Sequence, residues 1–291
     1  MTTRSRGSGN SNGSGIRGGS GRGVDRADAA IRKVTFASCY VYSPAGVNAA
    51  SARSRQLRAM LKSGDAHFIL KYAVRVRQQV AGTSPLAGFL CARNWLVPIP
   101  GSARSDGSSV SIAEYLARAL LEEGLGYGIW RGLHRIRAVQ KSATAPPGSR
   151  PTVANHYDSF AIRGIGSPGG TAGALEAELL GVQAAPEASA VPAVQGAPAM
   201  PRVLGIPKLH EAPGMPWRRS LPEQLVLIDD VVTKGRTLLA AAARVHEALP
   251  DADIRAFALL RTMGWVQGVD RLLDPCVGEI RWRAGDAYRN P

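Results

Sequence analysis

The residues best equipped for chemistry concentrate in one stretch, Leu225 to Leu239, which reads LVLIDDVVTKGRTLL. Ionised carboxylates only accept hydrogen bonds, so the adjacent Asp229 and Asp230 can together take up two vicinal hydroxyls, such as those of a ribose. The loop that follows, Thr233-Lys234-Gly235-Arg236-Thr237, is small-residue and basic. Successive N–H groups at the start of a helix make a nest for a dianionic phosphate. Both threonine hydroxyls add donors there, and Lys234 and Arg236 add charge. An acidic pair beside a phosphate nest suits a sugar phosphate. A second loop, Gly101 to Ser109, holds Ser102 and Arg104 between an apolar run and a helix signal. Alone, it fits an anion site or an ordinary connection. His156, next to Tyr157, fits a packed histidine better than a catalytic base.

Those residues need elements to hold them. Leu225 to Ile228 is an apolar run of strand character, Leu238 to Leu249 a strong helix ending at Pro250, and Ile254 to Leu260 a further strand. Strand, helix and strand in succession predict a parallel sheet with its ligand at the carboxyl ends of the strands. Upstream, Val34 to Tyr42 is β-branched and aromatic and predicts a strand closed by Ser43-Pro44-Ala45-Gly46. Arg53 to Lys62 has helical spacing and stops at Ser63-Gly64-Asp65. His67 to Val80 predicts an amphipathic helix with Phe68, Ile69, Tyr72 and Val76 inward and Lys71, Arg75 and Arg77 on a solvated face. Trp95 to Pro100 is a short strand stopped by its prolines. Ser111 and Glu114 fit a capping box opening a helix whose stripe is Ile112, Leu116, Ala119 and Leu120. Ile129 to Arg137 is a basic extended stretch, and Glu279 to Trp282 a short strand in a terminal part without readable role.

Composition narrows the partners. The chain has 291 residues, 36 Lys plus Arg against 22 Asp plus Glu, and a net charge of +14. That balance favours anionic partners, phosphorylated metabolites and nucleic acid among them. Three cysteines, Cys39, Cys91 and Cys276, lie too far apart for a disulfide framework or a zinc site. No apolar run approaches the roughly 20 residues of a membrane helix, and no signal peptide is apparent. A cytoplasmic protein is expected. Residues 1–30 form a Gly/Ser/Arg-rich tail that cannot offset the entropy of ordering and is expected to be disordered. A Gly/Ala/Pro/Ser-rich insertion at about 164–216 is expected to be flexible.

LVLIDDVVTKGRTL resembles the phosphoribosyl-pyrophosphate signature of type I phosphoribosyltransferases. More of the chain resembles one branch, the ComF (competence protein F-like, or amidophosphoribosyltransferase-like) group. The matching pieces in order are RQLRAMLKSGDAHFILKYAVRV, VPIP followed by AEYLARAL, RIRAVQK, NHYDSF and the signature. The resemblance implies an α/β type I phosphoribosyltransferase-like fold over 31–291, with a central, mainly parallel sheet flanked by helices, a small hood and one insertion. It implies Mg²⁺-dependent transfer of phosphoribose from phosphoribosyl pyrophosphate to a nitrogen nucleophile, with diphosphate released. Asp229 and Asp230 then hold the ribose hydroxyls and Mg²⁺, directly or through the ligand. Residues 233–237 hold the 5′-phosphate, Gly101, Ser102 and Arg104 the diphosphate, and Arg135, Arg137 and Lys141 lie where the site closes. Relatives' association with competence implies an alternative, a non-catalytic phosphoribosyl-pyrophosphate-binding or DNA-uptake accessory protein. The acceptor and the oligomeric state, a homodimer included, stay open. Two departures stand out: the four-cysteine zinc module that often begins ComF proteins is reduced to Cys39, and Lys234 replaces a small residue in the loop.

Overall fold

The computed structural model describes residues 31–105, 110–140, 149–163, 224–264 and 266–291. The 1–30 tail, the insertion at about 164–216 and Lys141 lie outside the described residues. The strands are β1 (Lys33–Tyr42), β2 (Trp95–Pro98), β3 (Gly128–Ile129), β4 (Leu133–Arg135), β5 (Phe160–Ile162), β6 (Gln224–Val232), β7 (Asp253–Thr262), β8 (Leu273–Arg283) and β9 (Asp286–Asn290). The helices are α1 (Ala49–Lys62), α2 (Ala66–Ala81), α3 (Ile112–Glu122), α4 (Val153–Ser159) and α5 (Arg236–Ala248).

Seven strands form one sheet in the order β3-β2-β6-β7-β1-β8-β9. The first five are mutually parallel, and β8 and β9 complete it as an antiparallel hairpin. Helices cover both faces of the parallel part, which is why β6 is apolar without alternation. Val226 and Ile228 face Leu57 and Leu61 of α1, Ile69 and Val76 of α2, and Leu116 and Leu120 of α3. Leu225 and Leu227 face the opposite layer, with Val153 and Tyr157 of α4, Phe160 of β5, and Leu238, Leu239 and Val245 of α5. Ala240 to Ala243 are all buried there, between Leu239 and Val245, so the middle of the helix packs through methyl side chains.

Local signals explain the helix starts. Asn48 and Asp65 cap α1 and α2 by accepting the N–H groups of Ser51 and Phe68 at 2.9 and 3.1 Å. Ser111 caps α3 through Glu114 N–H, but the expected reciprocal bond is replaced: the Glu114 carboxylate takes Arg118 at 2.7 Å and Arg131 at 3.0 Å. Three segments take a more specific form than their sequence indicates. The extended stretch at 129–137 is divided between β3, in the main sheet, and β4, which pairs antiparallel with β5 as a separate ribbon. Residues 153–159 are helical, opened by a complete capping box between Thr152 and Asn155. The C-terminal segment is a hairpin, with Ala284 and Gly285 both at positive φ in its turn.

β2 and β6 are neighbours, with Pro98 beside Ile228 and Ile99 N–H donating to Ile228 C=O at 2.9 Å. The chain leaves β2 for α3 on one face and leaves β6 for α5 on the other. Adjacent parallel strands whose helices part to opposite faces open a crevice at their carboxyl ends, the switch point where α/β sheets take ligands.

Candidate functional site

Both sequence-selected loops end at that crevice. β6 delivers Asp229 and Asp230 at its carboxyl end, followed by Thr233 to Thr237, and β2 delivers Gly101, Ser102 and Arg104. Asp229 Oδ1 accepts the N–H of Asp230 at 2.9 Å. Burial, then the neighbouring Asp230 charge, holds the Asp229 carboxyl well above the usual carboxylate range. Asp230 makes a different contact: Lys62, the last residue of α1, places Nζ 2.5 Å from its Oδ2.

Gly235 is the residue on which the 233–237 loop turns. It stands at φ 84° immediately before α5, with no side chain capping the helix. A methyl group there would sit 2.6 Å from Ile280, so both backbone conformation and space call for glycine. The first N–H groups of α5 therefore lack a side-chain cap, the arrangement that receives an anion at a helix start. Thr233 is exposed and Thr237 half-buried. Lys234 and Arg236 are engaged elsewhere. Arg236 Nε and Nη2 donate to Oδ1 and Oδ2 of Asp286 at 2.5 and 2.6 Å, its Nη1 donates to Pro151 C=O at 3.0 Å, and Lys234 Nζ lies 3.3 Å from Asp286 Oδ2. Burial tends to raise the Asp286 carboxyl, but bonds from Arg236 and the Ala287 N–H outweigh it and hold that carboxyl below the usual range. Arg289 anchors the same hairpin by donating to Val232 C=O at 3.1 Å and Thr262 C=O at 2.5 Å.

Across the crevice, Arg135 is not a surface cation waiting to close. It is 2% exposed, with Nε donating to Gly101 C=O at 2.6 Å, Nη1 donating to Ser159 Oγ, and its guanidinium over the Phe160 ring. Its backbone N–H donates to Ser105 Oγ at 3.0 Å, and Val139 N–H donates to Ser102 C=O at 2.8 Å. Arg135 thus braces the β2 loop against the β4–β5 ribbon. Burial pushes the guanidinium down to about 10, and the nearby Asp229 charge opposes that shift. Arg137 pairs with Asp158 at 3.3 Å, whereas Arg104 is exposed. His156 is packed as expected, 6% exposed with Nδ1 unpartnered. Burial, then the Arg135 and Arg236 charges, pushes it down to about 4.

Three contributors escaped the sequence: Lys62, Asp286 and Ser159. Lys62 is a basic residue in the last turn of a helix, a position any helix favours for a cation, and nothing local points it at a carboxylate far along the chain. Asp286 and Ser159 likewise acquire roles only through packing. The three free cysteines do not approach the crevice elements as a group, and no cluster of three or more His, Cys, Asp or Glu converges among the described residues. Cavities at Lys71–Leu273 and Phe89–Arg255 lie away from these loops. Among the described residues no helix is long and apolar enough to cross a membrane. No protein-family model, curated protein or solved structure matches the chain.

Proposed function

We propose that the protein is a phosphoribosyltransferase of the type I, ComF-like kind, which binds phosphoribosyl pyrophosphate and transfers its phosphoribosyl group to a nitrogen nucleophile. The observation that carries this reading is the switch point between β2 and β6, which brings together an acidic pair, an uncapped glycine-led helix start and a second loop. In this reading Asp229 and Asp230 accept the ribose hydroxyls. N–H groups of 235–237 and the threonine hydroxyls of 233 and 237 hold the 5′-phosphate, and Gly101 to Arg104 receive the diphosphate. The C1′–O bond breaks with its electron pair leaving on diphosphate. The acceptor's nitrogen lone pair forms the new C1′–N bond, and the nitrogen's proton passes to solvent. Positioning and charge neutralisation supply the acceleration, and no protein nucleophile is required.

Mg²⁺ fits as an ion carried by the ligand, neutralising diphosphate. A resident, protein-held ion does not fit, because the Lys62 ammonium already stands on Asp230. Incubation with phosphoribosyl pyrophosphate, Mg²⁺ and a panel of bases, ammonia and glutamine is expected to release diphosphate with one acceptor. No release with any of them would count against catalysis.

A second reading, a nucleic-acid-binding accessory protein, draws on one further observation. α1 and α2 expose Arg53, Lys71 and Arg75, with Asp65 as the one acid between residues 49 and 81. Binding of single-stranded DNA that weakens steeply with salt would favour this reading, and salt-indifferent binding would dismiss it.

A further inference from the structure

We infer that Lys62 is a positioning residue of the acidic pair, a cation built into the fold that closes Asp230 to free divalent ions and leaves the pair to bind hydroxyls. The inference rests on the reading of Asp229 and Asp230 as acceptors for ribose. Its basis is a contact between distant elements. Lys62 ends α1, which packs on one face of the sheet, and its ammonium reaches the end of β6 to lie 2.5 Å from Asp230 Oδ2. Asp230 is the buried partner, with 11% of its side chain exposed, and the lysine is 46% exposed. Among the described residues, Asp230 has no other ion pair and Asp229 has none.

The two carboxylates are therefore held by different anchors. Asp229 is tied to the backbone N–H of its neighbour, and Asp230 to a side chain from another layer of the fold. One ammonium contact removes one unit of charge from the pair yet leaves most of its acceptor positions free, since an ionised carboxylate offers about four. A bare Asp230 carboxylate would attract a divalent cation, whose preferred ligands are such oxygens. A pair carrying one compensating ammonium attracts it far less, and still accepts hydroxyl donors. Asp286 plays the corresponding part for the cations of the phosphate loop, so both halves of the crevice are charge-compensated before any ligand arrives.

Titration of the full-length protein with Mn²⁺, followed by the electron paramagnetic resonance signal of the free ion, tests this without any substrate. Wild type and Lys62→Arg are expected to leave the signal of the free ion largely intact. Lys62→Met is expected to bind Mn²⁺ about tenfold or more tightly than wild type, the order set by removing a contacting opposite charge, and Asp230→Asn in the same chain to abolish the gain. Lys62→Gln, at this exposed helix end, repeats the test should the methionine variant fold poorly. Either folded variant binding Mn²⁺ no more tightly than wild type overturns the inference, as does a gain that survives Asp230→Asn. A calorimetric arm with phosphoribosyl pyrophosphate and Mg²⁺ separates the two claims. Weakening in Lys62→Met and recovery in Lys62→Arg support the positioning role, whereas equal affinity in all three proteins overturns it. Failure of wild type itself to bind the ligand rejects the proposed function, while the Mn²⁺ result still decides whether Lys62 closes the pair.

Discussion

Asp286 occupies both oxygens with Arg236 and one of them also with Lys234, so both cations of the 233–237 loop are already paired. In the proposed reading phosphate recognition then falls on backbone N–H groups and hydroxyls, while Lys234 is directed at the C-terminal hairpin. Asp286→Asn is expected to release both cations and tighten binding of inorganic phosphate by about three- to tenfold, read by calorimetry. The same change should cost under about 1 kcal/mol of stability because the pair is partly solvated. Unchanged phosphate affinity would mean that these cations never reach the ligand. His156 gives a pH signature. Its folded value is pushed down to about 4, whereas an unfolded histidine titrates near 6.5. Between those values the unfolded chain binds the extra proton, so stability falls as pH is lowered through this window and is fully present above it. His156→Leu should remove that component, on the order of 3 kcal/mol. Thermal melts of both proteins between pH 7 and 4 should diverge accordingly, and parallel curves would show that His156 protonates freely in the fold.

The β4–β5 ribbon matters because Arg135 ties it to the β2 loop. Arg135→Met removes the donors to Gly101 C=O and Ser159 Oγ in a buried setting, which should cost about 2–4 kcal/mol. Hydrogen exchange at residues 101–105 should rise with it, and protection unchanged from wild type would deny the brace. Elements of this kind were the hardest to read from sequence. β6, α5 and β7 were legible because an apolar run, a glycine-led loop and an alanine helix each carry a local signal. α4 was not, since Asn155, His156 and Asp158 interrupt its seven-residue apolar pattern. Of the final hairpin, the strand at Glu279–Trp282 was legible and lies within β8, whereas its turn and β9 were not, because the turn places Ala284, rather than the usual asparagine or aspartate, at positive φ. The acidic pair and phosphate loop were visible as residue types, but Lys62 and Asp286 were not. Each is brought to the crevice by tertiary packing from a distant element, and no short-range spacing records that.

At the scale of the whole molecule, the parallel strands, the division of helices between two faces and the charge of +14 are the features that support the proposal of an anionic ligand at the β2–β6 crevice. The most direct test is a thermal shift with phosphoribosyl pyrophosphate plus Mg²⁺ on wild type and on the Asp229→Asn/Asp230→Asn protein. At about a hundredfold excess over Kd, wild type should gain about 2.7 kcal/mol, seen as a Tm rise of several degrees, and the double variant should gain almost none. No shift in wild type, or one that survives the double substitution, would contradict a phosphoribosyl-pyrophosphate site at this acidic pair.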